Sequence, residues 1–194
     1  MKSPRSLYDR HRFLISNILK GFLGFGILIL ALHLIRFNFT ESERFAWMQP
    51  LYERPNLVMV LFFASELLFG IIPPELFMLW AMQTQYLGTY AWGVVLMSVC
   101  SYCIGAFNYF LGRFLRDRTD WLHGKSKLVR KYRLMFEKYG SELVIVAATS
   151  PIPFSLVSLL GGAGGLGRRE YLLNSLYRFP RYFLYAYALW RIEG

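Results

Sequence analysis

The sequence predicts an all-α membrane protein that crosses the bilayer several times, and three observations carry that reading. More than half of the 194 residues are hydrophobic (55%) and 18% are aromatic, which is apolar for a soluble domain. Residues 86–112 form a run without a single charge, long enough to span a bilayer with some tilt. The apolar segment 57–82 contains Glu66, Glu75 and the pair Pro73-Pro74. A charge near the bilayer centre costs at least about 2.5–3.5 kcal/mol. Adjacent prolines also remove hydrogen bonds from any helix that runs through them. At membrane depth such a backbone is tolerated only where it is buried in protein or lines a wet cavity. Segment 57–83 is therefore expected to enter and leave the membrane on one side, as a re-entrant helical hairpin turning at Pro73 and Pro74.

Taken in order, residues 1–20 carry Lys2, Arg5, Arg10, Arg12 and Lys20 against Asp9. This basic arm is expected on the cytoplasmic side. Residues 21–39 form a transmembrane helix, retained rather than cleaved: the run is too long for a typical signal sequence and lacks a small-x-small cleavage site. Residues 40–56 hold Glu41, Glu43 and Glu53 against Arg44 and Arg54, net −1, as expected outside. Hairpin 57–83 and the helix over 86–112 follow. Ser101 and Gly105 lie four apart and form a small-residue face that lets another helix approach closely; Gly112 and Arg113 close the span.

Residues 113–138 bear nine Lys or Arg and three Asp or Glu, net +6, and must stay cytoplasmic. Within this loop, 127–139 reads as an amphipathic surface helix ended by Gly140, with anionic lipid head groups as its counterpart and no nucleic acid. A second re-entrant hairpin is expected over 141–167, entered from the cytoplasm. Its turn residues are Pro151, Pro153, Gly161 and Gly162. A final transmembrane helix over 171–190 contains Arg178, Pro180 and Arg181. Residues 21–194 thus make one membrane domain. It contains two inverted repeats, each a proline-broken hairpin followed by a span. In transporters built this way, the broken segments meet at the midplane and form the site.

Glu66, Glu75, Arg178 and Arg181 are the candidate substrate and proton-coupling residues. Glu75 has a plainer reading as an acidic residue at the start of a half-helix, facing its free amides. Arg178 and Arg181 lie on one face of the last helix. Either they pair with the two carboxylates, or they snorkel to the cytoplasmic surface. Arginine suits a phosphate through bidentate hydrogen bonds. Cys100 and Cys103 lie inside an uncharged run, without a neighbouring His or Asp, and read as small helix residues. Gly162-x-Gly164-x-x-Gly167 matches a dinucleotide fingerprint in spacing only, with no strand–helix context and no acid at Tyr187. Neither a metal, nor a cofactor, nor enzymatic chemistry is indicated.

Several motifs occur together: Glu66 with Ile72-Pro73-Pro74-Glu75, Tyr109-x-x-Gly112-Arg113, Phe136-x-Lys138-Tyr139-Gly140, Pro151-Ile152-Pro153-Phe154, the glycine-rich turn, and Arg178-x-x-Arg181-Tyr182. In this order they resemble the DedA (VTT, SNARE-associated) membrane protein family, over about residues 55–190. The resemblance implies two re-entrant hairpins in inverted repeats. It also implies movement of lipids across the membrane, polyprenyl phosphates in some bacterial members and phospholipids in eukaryotic relatives. Acidic residues of the first hairpin and arginines after the second are the residues it implicates. Typical bacterial members carry an arginine within the second proline motif, whereas residues 150–155 contain none. The chain is closer to the subgroup with a Pro-x-Pro-aromatic turn, so a phosphate-binding arginine would come from Arg178 or Arg181.

The expected function is a flippase for a phosphate-bearing lipid, with protons as candidate coupling ions, in the inner (plasma) membrane of a bacterium. The alternative is a non-transporting assembly or scaffold protein acting through the basic loop. A homo-oligomer is compatible with either.

Overall fold

The computed structural model describes residues 53–68, 70, 72–118, 139–150 and 153–193, with Leu134, Phe136 and scattered positions between 12 and 49. Among these residues the secondary structure is helical and contains no strand. The elements are α1 (Pro55–Leu67), α2 (Pro74–Thr84), α3 (Tyr90–Arg118), α4 (Glu142–Thr149), α5 (Phe154–Ala163), α6 (Arg168–Ser175) and α7 (Arg178–Glu193). Most of the arm 1–20 and parts of the expected span 21–39 lie outside the described residues, as do Pro151 and most of the loop beyond Arg118. The described positions between 12 and 38 are helical, as are Leu134, Phe136 and Tyr139. Gly140, at φ +60°, donates its N–H to the Phe136 carbonyl and ends that last stretch in a left-handed cap.

Segment 57–83 is broken where the prolines require it. Pro74 takes the first position of α2, where a missing N–H costs nothing, and Pro73 precedes it with extended backbone. The link from α1 is closed by Ser65. Its Oγ accepts the Ile72 N–H at 2.8 Å and donates to the Ile72 carbonyl at 3.1 Å. Gly70, at φ +63°, makes the bend.

Three boundaries differ from the expectation. Helix α3 starts at Tyr90, after a turn with Gly88 at φ +88°, and continues six residues past Gly112 to Arg118. Nothing after Gly112 stops a helix: Arg, Phe and Leu are all adequate helix formers. Gly161 and Gly162 are not turn residues but lie in the last turn of α5; the turn itself is Gly164–Gly167. Within that helical turn, Gly162 lets α5 lie directly against the Tyr109 carbonyl of α3.

The expected single helix over 171–190 is two helices, α6 and α7, parted at Leu176–Tyr177. Pro180 explains the position of the break. It has no N–H to give the Leu176 carbonyl, and its ring crowds that same carbonyl four residues back. The backbone there closes instead by tighter bonds, Leu176 to Leu173, Tyr177 to Asn174 and Phe179 to Leu176.

Helix α3 is the axis of the structure. Its 29 residues extend about 44 Å at 1.5 Å each, and among the described residues it alone is long and apolar enough to cross a membrane. Its first half packs, through Val94 and Met97, with Val58, Phe62, Phe77, Met78 and Trp80 of α1 and α2 and with Tyr182, Tyr185 and Leu189 of α7. Its second half packs, through Tyr109, with Leu143, Val144, Ala147, Phe154, Val157 and Leu160 of α4 and α5 and with Tyr171 of α6. The Tyr109 and Tyr171 rings stack at 4.2 Å. The two cores meet where α1 ends and α5 begins.

Candidate functional site

At that junction the four candidate charged side chains meet as two ion pairs. Glu66, in the last turn of α1, is buried. Arg178 spreads one Nη2 over both carboxylate oxygens, at 2.8 Å and 2.6 Å. The Ser101 hydroxyl from α3 donates to Oε2 at 2.7 Å, and the Tyr182 hydroxyl donates to Oε1 at 3.1 Å. Arg178 is also buried, 3% exposed, with its guanidinium 4.2 Å above the Phe154 ring. Such a stack offsets part of the cost of desolvating the cation. Phe154 in turn lies where Gly105 has no side chain; a Cβ there would run into the ring.

The second pair is one turn further along α7. Arg181 Nη2 donates to Glu75 Oε1 at 3.0 Å, and Nη1 donates to the Ser150 carbonyl at the end of α4 at 3.1 Å. Glu75 is buried in the first turn of α2, where the plainer reading puts it, but its carboxylate pairs with Arg181 and makes no cap bond to the α2 amides. The arginines do not snorkel away; both turn inward to carboxylates of the first broken segment.

Among the described residues, three buried donors of these arginines have no acceptor: Nε and Nη1 of Arg178 and Nε of Arg181. The Ser150 hydroxyl is buried and likewise unpartnered. A cluster of unsatisfied N–H and O–H donors around two cations is suited to an oxyanion. Among the described residues, no group of His, Cys, Asp and Glu could hold a metal ion.

The remaining sequence candidates serve the frame around the pairs. Gly112 faces the Leu159 carbonyl of α5, and Gly162 faces the Tyr109 carbonyl of α3, so the two backbones cross in contact. Arg113 donates to the Tyr109 hydroxyl at 3.4 Å. Pro153 precedes α5 and places Phe154 at its start. Ser101, read as a packing residue, is a hydrogen-bond donor to the site.

Sequence reasoning gives no site role to Ser65, Ser150 and Ser155, and names Phe154 and Tyr182 only within motifs. Ser155 donates to the backbone carbonyl of Glu66, so the start of α5 caps the end of α1. For Tyr182 a signal existed: it lies four residues after Arg178, on the same helix face. Replacing Ser65 by alanine strands both polar groups of Ile72. A loss of about 1–3 kcal/mol is expected, readable as a lower midpoint of thermal unfolding in detergent.

A comparison with protein-family models matches the VTT domain over residues 72–191, more than half of the chain. No curated protein and no solved structure matches it in the corresponding searches. The match begins at the α1–α2 link and runs through Arg178 and Arg181 to α7. The chain belongs to the VTT domain family and is a membrane protein of the DedA type.

Proposed function

We propose that this chain is a DedA-type lipid transporter, which moves a phosphate-bearing lipid, a polyprenyl phosphate or a phospholipid, across the bilayer with protons as coupling ions. The observation that supports this best is the double ion pair between the first broken segment and α7, fringed by donors without acceptors. Buried ion pairs are a poor way to stabilise a fold, because desolvation offsets most of their attraction. Two of them inside a lipid-facing protein are better explained as a site.

The element lengths support re-entrant hairpins. The 13 residues of α1 and 10 of α5 reach about 20 Å and 15 Å, short of a hydrocarbon core of about 30 Å. Each broken segment is followed by a longer run, α3 in one case and α6 with α7 in the other. An inverted-topology repeat would be ordered in this way. The basic segments 1–20 and 113–139 would then face the cytoplasm and anionic lipid head groups, in the plasma membrane of a bacterium.

In the mechanism, Glu75 holds Arg181 while the site is empty. A proton arriving on the carboxylate cancels the charge that holds its partner. The released guanidinium then takes a phosphate oxygen by charge-assisted hydrogen bonds. Deprotonation restores the pair and expels the head group.

Flux of a fluorescent phosphate-bearing lipid in proteoliposomes tests this with Glu75→Gln and Arg181→Ala, scored only on folded protein. The expected result is loss of at least about tenfold in rate, the loss of one charge-assisted bond of roughly 1.4 kcal/mol or more. Wild-type flux from both folded variants would end the mechanism.

A further inference from the structure

The two ion pairs are built differently. Glu66 is held from three elements besides its own: by Arg178 and Tyr182 of α7, by Ser101 of α3, and through its backbone by Ser155 of α5. Arg178 is clamped between that carboxylate and the Phe154 ring. Moving either group would disrupt the junction of both cores. Glu75 and Arg181 share a single hydrogen bond, and the Arg181 side chain is 12% exposed against 4% for Arg178. The other bond of the Arg181 fork goes to the Ser150 backbone. That bond brings Arg181 beside a serine whose hydroxyl is buried and, among the described residues, has no acceptor, as is also true of Arg181 Nε.

We infer that the pairs divide the work: Glu66–Arg178 is a fixed tie, and Arg181 with the Ser150 hydroxyl is an oxyanion subsite that Glu75 fills until a phosphate-class oxyanion replaces it. This rests on the transport reading for its physiological ligand, but not for its chemistry. A carboxylate and a phosphate present similar oxygens to a guanidinium. Once the ligand displaces Glu75, it accepts from Nη2 and Nε of Arg181 and from Ser150 Oγ, while Nη1 stays on the Ser150 carbonyl. Two donors that lack acceptors in the ion-paired state are thereby satisfied. Ser150 is the specificity residue of this arrangement: its hydroxyl recognises an oxygen, and the bond from Arg181 to its backbone sets the angle of the fork.

The test uses the full chain in phosphatidylcholine nanodiscs and reads the thermal unfolding midpoint. One arm is titrated with inorganic phosphate; another is built with a fraction of phosphatidic acid and no added phosphate. Glu75→Gln removes the competing carboxylate charge and is expected to lower the half-saturating phosphate concentration by about tenfold. Ser150→Ala in that background is expected to raise it again by about fivefold, the loss of one hydrogen bond. Glu66→Gln is expected to lower the midpoint without changing the phosphate response. Ser150→Ala alone leaves both ion pairs in place, so the test does not depend on a variant that fails to fold. A response to phosphate marks a site for the free ion; a response to phosphatidic acid alone marks a site for the lipid head group. Both support the subsite. No response in either arm, or equal gains from Glu75→Gln and Glu66→Gln, overturns it. Lipid flux without either response removes this subsite and leaves transport standing; the response without flux does the reverse.

Discussion

Glu66→Ala is expected to destabilise the folded protein by about 3–5 kcal/mol, because it strands a buried cation. Arg178 is 3% exposed, and its one bonded nitrogen would lose both of its acceptors. The hydroxyls of Ser101 and Tyr182 would lose theirs as well. The conservative Glu66→Gln keeps an acceptor for the hydroxyls and should cost less. Replacing the pair together, Glu66→Leu with Arg178→Met, should recover most of the loss, since an apolar pair of similar volume needs no desolvation. Thermal unfolding of the three variants in one detergent decides it. An alanine variant that melts with the wild type would show that Glu66 does not hold Arg178.

The second large effect is expected at the crossing of α3 and α5. Gly112 and Gly162 each lie against the other helix's backbone, at Leu159 and Tyr109 respectively. A side chain at either position meets a carbonyl group, which cannot turn aside as a flexible side chain can. Gly162→Val is therefore expected at or beyond the upper end of the ~1–3 kcal/mol range for overpacking. It should separate the helices and with them Phe154, which carries Arg178. Gly26, with no atom within 4 Å of an added Cβ, is the control, and Gly26→Ala should be neutral or slightly stabilising. Yield of monodisperse protein and unfolding midpoint are the readouts. Equal behaviour of the two variants would rule out the tight crossing.

Residues that break a membrane rule were legible in the sequence. Glu66, Glu75, Arg178 and Arg181 were visible as charges where charge is costly, and Pro73-Pro74 as a break where a helix should continue. Which carboxylate meets which arginine was not legible, because it depends on how α7 lies across α1 and α2. Ser65, Ser150, Ser155 and Phe154 carry no legible site role, because an uncharged residue in an apolar run breaks no rule. Their roles exist only across helices: Ser155 acts on a carbonyl of α1, and Phe154 needs the gap at Gly105. A proline inside a helix marks a distortion, and Pro180 lies inside the expected last helix. The division into α6 and α7 needed the further point that a proline disturbs the carbonyl four residues before it, at Leu176. Gly161 and Gly162 read as a turn in the sequence because glycine serves both turns and close helix contacts, and sequence spacing does not separate the two uses.

On the proposed reading, charge at the second pair serves lipid movement rather than the fold. Lipid flux through the double variant Glu75→Leu with Arg181→Met in proteoliposomes, beside the unfolding midpoint of that variant, separates the two. The expected result is a midpoint within a few degrees of wild type, because the charges are removed together, and flux reduced to that of protein-free vesicles. Wild-type flux from this folded, uncharged pair would contradict it.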